Sequence, residues 1–101
     1  MRKIAMFMGE YGDYQIQLSD SVIEEAAKCG DVVHIFTNSG SYGSNFFYAL
    51  GEKMIIKIPN LADYDGIIIA ADTFGISGMY EELAELILKD ATCPSVCVRK
   101  G

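Results

Sequence analysis

Three short apolar runs govern what this chain can fold into. Ile4-Ala5-Met6-Phe7-Met8, Val32-Val33-His34-Ile35-Phe36 and Ile67-Ile68-Ile69-Ala70-Ala71 each lack the strict apolar–polar alternation of a half-exposed strand. Each therefore predicts a strand buried on both faces. Such strands belong to parallel sheets, whose faces are covered by the helices that carry the chain from one strand to the next.

The segments between the runs supply those helices. From about Tyr14 to Cys29, the residues Ile16, Leu18, Val22, Ile23, Ala26 and Ala27 fall on one side of a helix, and Gly30 stands where a left-handed residue would end it. In the second half, Tyr64-Asp65-Gly66 leads into the isoleucine run. Residues from about Gly78 to Asp90 then place Met79, Leu83, Leu86 and Ile87 at helical spacing. Glu81, Glu82 and Glu85 face outward in the first turns, where negative charge favours the helix dipole. Pro94 closes this connection and Val96-Cys97-Val98 forms a last short strand. The expected class is α/β: an open parallel sheet with helices on both faces, a flavodoxin- or Rossmann-like three-layer sandwich. Residues 37–63 fit less well. Thr37 to Ser44 is too polar and glycine-rich for a helix, Asn45 to Leu50 suggests one or two helical turns, Lys53 to Lys57 suggests a short strand, and Pro59-Asn60 starts a turn.

Length and charge limit the partners. The 101 residues suffice for one compact domain with one core. A formal net charge of -6, with cations paired only at Arg2-Lys3 and Arg99-Lys100, argues against contact of this segment with nucleic acid or an anionic membrane surface. No apolar run approaches the roughly 20 residues of a membrane span, and Gly9-Glu10 cuts the first run too short for a signal peptide. Cys29, Cys93 and Cys97 lack metal-ligand spacing and read as reduced thiols of a cytoplasmic protein, with no metal site.

Function in open parallel sheets sits at the carboxyl ends of the strands, where strand order reverses. That rule singles out Gly9, Glu10 and Tyr11, then Thr37, Asn38 and Ser39, then Asp72, Thr73 and Phe74. A phosphate-binding loop is not expected, because Gly9-x-x-Gly12 is not the dinucleotide pattern and Glu10 would repel phosphate. A phosphorelay receiver would place an acceptor at Asp72 and a lysine at Lys100, but Glu10 alone cannot supply its acidic pair for magnesium. His34 has no nucleophile paired with it by motif and reads as a packed or edge-strand histidine, while Asp65 reads as a turn residue. Asp72 and Thr73 either cap a turn or face a ligand. Tyr11 and Phe74 either stack on a ligand or cover the sheet end.

Four stretches carry a family resemblance: Lys3-Ile4-Ala5; Val22-Ile23-Glu24-Glu25-Ala26-Ala27-Lys28-Cys29-Gly30-Asp31-Val32-Val33; Leu61-Ala62-Asp63-Tyr64-Asp65-Gly66-Ile67-Ile68-Ile69; and Glu81-Glu82-Leu83 through Cys93-Pro94-Ser95-Val96. In order and spacing they resemble the N-terminal lobe of the sensor domain of LacI-type regulators, which have the type I periplasmic-binding-protein fold. Asn45-Phe46-Phe47-Tyr48 through Gly51-Glu52, with Ile58-Pro59-Asn60-Leu61, is similar to a branch with a shortened second helix. The resemblance implies an effector-sensing module without catalytic residues or a cofactor. A small molecule such as a sugar or nucleobase would lie between two lobes, and cleft closure would change how a homodimer presents its output domain. Matching positions for ligand binding are Tyr11, Asn45, Asp72, Thr73 and Phe74, and the face of the first helix would be the dimer surface. The resemblance further implies a second lobe beyond Gly101 and an output module, either a DNA-binding helix-turn-helix or a downstream diguanylate cyclase. The alternative is a self-contained flavodoxin-like domain such as an atypical phosphorelay receiver.

Overall fold

The computed structural model describes residues 1–9, 13–38, 43–70 and 79–98. Its elements are β1 (Lys3–Met8), α1 (Asp13–Lys28), β2 (Val32–Thr37), β3 (Ser44–Asn45), β4 (Phe47–Leu50), β5 (Lys53–Ile56), a 3-10 turn (Leu61–Asp63), β6 (Gly66–Ala70), α2 (Met79–Lys89) and β7 (Ser95–Val98). The three apolar runs are indeed strands, and β1 lies at the centre, paired in parallel with β2 on one side and β6 on the other. The full order is β3-β2-β1-β6-β7, every pair parallel.

Alternation along these strands divides the core in two. Ala5 and Phe7 of β1, Phe36 of β2, and Ile67 and Ile69 of β6 face α2, where Leu83, Ala84 and Ile87 are buried against them. Met6, Met8 and Ala70 face the other way, toward Leu18 and Val22 of α1. One helix therefore covers each face, giving an α/β sandwich. α1 ends as its glycine predicts. Gly30 has φ 77, its amide donates to Ala27 O, and the Asp31 amide donates to Ala26 O at 2.8 Å, the paired bonds that satisfy the last free carbonyls of a helix.

The expected helical turns at Asn45 to Leu50 are not there. Ser44–Asn45 adds a short parallel strand to β2, and Phe47–Leu50 pairs antiparallel with Lys53–Ile56 through a turn at Gly51. The strand expected from Lys53 is thus one arm of a hairpin that occupies the α2 side of the sheet. Its anchor is aromatic. Phe46 meets Phe7 edge-on at 5.1 Å, and Phe46 and Phe47 meet edge-on at 4.7 Å. Both are essentially fully buried, so each contributes on the order of 2–3 kcal/mol of burial and favours a hairpin over a helix that could not seat both rings.

Carboxylates hold the amino edge of β1. Asp31 accepts from the Arg2 backbone amide at 3.1 Å and pairs with its guanidinium at 2.8 Å, and Asp65 accepts from the Lys3 amide at 2.8 Å. The Asp65 amide returns a bond to Lys3 O at 2.7 Å. Asp65 is thus a turn residue, as its position before Gly66 suggests. The Arg2 hydrogen bonds hold the Asp31 carboxyl below its usual range, against the opposing effect of burial. Among the described residues no helix is long and apolar enough to cross a membrane.

Two outcomes follow. A depressed native pKa makes the Asp31 contribution present above the unfolded value of about 3.9 and lost as pH falls through the native value. Urea titrations of the protein and of Asp31→Asn should therefore differ at pH 7 and draw together as pH falls from about 4 through the lower native value. At Gly43, φ is 75 and an added Cβ would lie 2.6 Å from the Ile35 carbonyl oxygen, whereas Gly51 has nothing within 4 Å. Gly43→Ala should lower the unfolding free energy by about 2–3 kcal/mol and Gly51→Ala by about 1 kcal/mol, measured by urea denaturation.

Candidate functional site

The sheet reverses direction beside β1. From β1 the chain crosses by α1 to β2 on one side, and from β6 it crosses by α2 to β7 on the other. Between β1 and β6 the last register pair is Met8 with Ala70, so the two strands end side by side at the carboxyl edge. A crevice at this point is bounded by crossovers on opposite faces, which is why open α/β sheets bind ligands there.

The described floor of this edge is closely held. Gly9 follows β1 and is buried. Thr37 ends β2 with no exposed surface, and its hydroxyl donates to the Gly9 carbonyl at 2.7 Å. That bond ties the exit of β1 to the exit of β2 by a side chain, outside the regular ladder. Thr37 O in turn accepts from the Phe46 amide at 3.0 Å, and Thr37 is in register with Asn45 of β3. Asn45 is exposed at the same edge, one strand outward from β2. Its amide group can both donate to and accept from a polar ligand.

Of the five residues expected to bind ligand, Asn45 alone lies among the described residues. Tyr11, Asp72, Thr73 and Phe74 lie outside them, as do Glu10 and Lys100, on which the receiver reading turns. The strands that lead to Tyr11 and Asp72 are nevertheless the adjacent pair β1 and β6. Sequence order places Thr37 at the strand end, but not its bond to Gly9. The signal is a hydroxyl at the end of a buried strand, and its partner is 28 residues away.

His34 sits away from this edge. It is exposed on β2, with Nδ1 at 3.0 Å from the Tyr64 hydroxyl and the two rings edge-on at 5.6 Å. Partial burial, with a smaller effect of Asp63, raises the Tyr64 pKa, so the phenol stays protonated across the physiological range. Phe36 packs edge-on against the same tyrosine at 5.9 Å. His34 thus belongs to an aromatic cluster over β2. Among the described residues no group of three or more His, Cys, Asp or Glu side chains is placed to hold a metal ion.

No protein-family model, curated protein or solved structure matches this chain.

If Thr37 holds the floor of the site, Thr37→Val should expose its role. This near-isosteric change removes the donor to Gly9 O and should cost about 1–2 kcal/mol in urea denaturation. Thr37→Ser keeps the hydroxyl and should retain more of that stability. Faster amide exchange confined to residues 8–9 and 45–46 in the valine variant would separate loss of the tie from general loosening.

Proposed function

We propose that this chain is an effector-sensing lobe, the N-terminal lobe of a type I periplasmic-binding-protein fold in a LacI-type transcriptional regulator or a related signalling protein. The observation that carries this reading is the carboxyl edge at the β1–β6 reversal. There, adjacent strand ends lead directly into Tyr11 and Asp72, and Asn45 stands at the same edge. The hairpin departs from the resemblance, which places a shortened second helix where Phe47–Leu50 and Lys53–Ile56 pair.

In this reading the lobe contributes one wall of a cleft and performs no chemistry. Asn45, Asp72 and Thr73 fix the polar groups of a sugar or nucleobase, and Tyr11 and Phe74 stack on its ring. A second lobe closes over the ligand, and the closed state is favoured by its greater affinity. The output module responds through the arrangement of a cytoplasmic homodimer. Support for a dimer surface on α1 comes from an apolar furrow of about 410 Å³ along its flank, lined by Val22, Ala26 and Cys29 with Ile4 and Ile68 of the sheet. Parallel sheets are normally covered on both faces, and a furrow of this kind offers apolar area for burial by a partner.

A thermal-shift screen of monosaccharides, nucleosides and nucleobases tests the reading. One class should raise Tm, with stabilisation near 2.7 kcal/mol when the ligand is about 100-fold above its Kd. Asn45→Ala should reduce that shift and Asp72→Ala should abolish it while leaving the ligand-free Tm within about 2 °C. The absence of a shift from every class would sink the reading.

A further inference from the structure

The hairpin presents apolar side chains on both of its sides. Phe47 and Ile56 form one cross-strand pair, and Phe47 is buried against the sheet. Alternation turns the next pair, Tyr48 with Ile55, to the opposite side, together with Leu50 and Lys53. Tyr48 and Ile55 are half-buried and Leu50 is 63% exposed. Lys57 follows in the same row, one residue past Ile56, and its amide donates to Phe46 O at 2.7 Å. The outer side of the hairpin is therefore an apolar strip edged by two exposed lysines. Two-stranded hairpins rely on packing for their stability, and a strip of this kind on the outer side calls for a cover.

α2 lies on the same face of the sheet and has the opposite character. Glu82 and Glu85 are exposed and, with Leu86 and Lys89, line a shallow groove of about 340 Å³. Leu86 and Leu88 are 41% and 40% exposed. Hairpin and helix share one buried core, with Phe46 and Phe47 on one part of it and Leu83 and Ile87 on another. Phe46 and the stacked rings of Phe7 and Phe36 place the hairpin over β1 and β2, while α2 is the crossover from β6 to β7. The two share that core: the hairpin carries Lys53 and Lys57 against one acid, Glu52 at its turn, and the helix groove carries Glu82 and Glu85 against one cation, Lys89. Among the described residues neither Lys53, Lys57, Glu82 nor Glu85 takes part in an ion pair.

A face split into complementary halves is self-complementary under a two-fold rotation about an axis between them. We infer that this face is a contact between two copies of the chain, with the hairpin strip of each copy seated on the acidic helix of the other. Leu50, Tyr48 and Ile55 then meet Leu86, and Lys53 and Lys57 meet Glu82 and Glu85. Taken alone, the contact closes on itself and yields a pair; joined with a second two-fold contact at the α1 furrow it would string copies into a row. It uses the opposite face of the sheet from the α1 furrow and does not depend on the sensing role.

Charge reversal with mixing tests it by sedimentation velocity at low and high salt. The protein should show a concentration-dependent association step that weakens as salt rises. Lys53→Glu with Lys57→Glu makes both halves acidic, and Glu82→Lys with Glu85→Lys makes both halves basic. Each double variant alone should lose that step by about tenfold or more in affinity. An equimolar mixture of the two should regain it, because each acidic copy then faces a basic one. All substituted positions are exposed, and circular dichroism of each variant confirms folding before the mixing experiment. Absence of the step in the unmodified protein, its persistence in the separate variants, or failure of the mixture to regain it would each overturn the contact. An association that survives every reversal is instead carried elsewhere, and its loss on Cys29→Glu, at an exposed position lining the α1 furrow, would assign it there.

Discussion

Phe7 is the point on which the rest of this structure hangs. It lies in the central strand, stacked on Phe36 of β2 at 5.1 Å and met edge-on by Phe46 at the same distance. A single ring thereby joins the middle of the sheet, its neighbouring strand and the hairpin. Aromatic pairs of this geometry contribute about 0.5–1.5 kcal/mol each beyond the burial of their surface. Two strands alone are marginal, so the hairpin depends on this seat together with the burial of Phe47. Its position, the end of β3 and the setting of Asn45 all follow from where Phe46 is seated.

Much of the fold is legible in the sequence because much of it is periodic. The apolar runs at Ile4, Val32 and Ile67 became the three inner strands, and the 3.6-residue pattern around Val22 became α1. Gly30 and Asp65 were legible for a different reason, since a left-handed cap and a turn before a strand each restrict the residue type. Residues 44–56 were not. β3 has two residues, too few to display a period, and the adjacent Phe46 and Phe47 are both buried although neighbouring strand residues face opposite ways. Phe46 escapes that rule because it sits in the bend between β3 and β4. A tertiary contact with Phe7 decides this local structure, and no window of sequence contains both residues.

The candidate site divides along the same line. That a ligand would meet the carboxyl ends of β1 and β6 follows from the order of strands and helices, which periodicity reveals. That Thr37 clamps Gly9 depends on two strand ends meeting in space, so the sequence holds the hydroxyl but not its partner. Asn45 reached the expected edge by an unexpected path, as part of a strand rather than a helical turn. The neighbouring loops carry acidic side chains, Glu10 and Asp72, and the strands β1, β2 and β6 beneath them carry none. This separation lets loop chemistry vary without disturbing the core.

The central position of β1 has a mechanical consequence. Tension applied through the chain ahead of Lys3 would pull β1 lengthwise between two parallel neighbours. The ladders to β2 and β6 would then be loaded together in shear, instead of opening one bond at a time as a peeling edge strand does. The clasp of Asp31 and Asp65 on the Arg2 and Lys3 amides sits at the point where that load enters. A load entering there would pass to the carboxyl ends of β1 and β6 along a single strand.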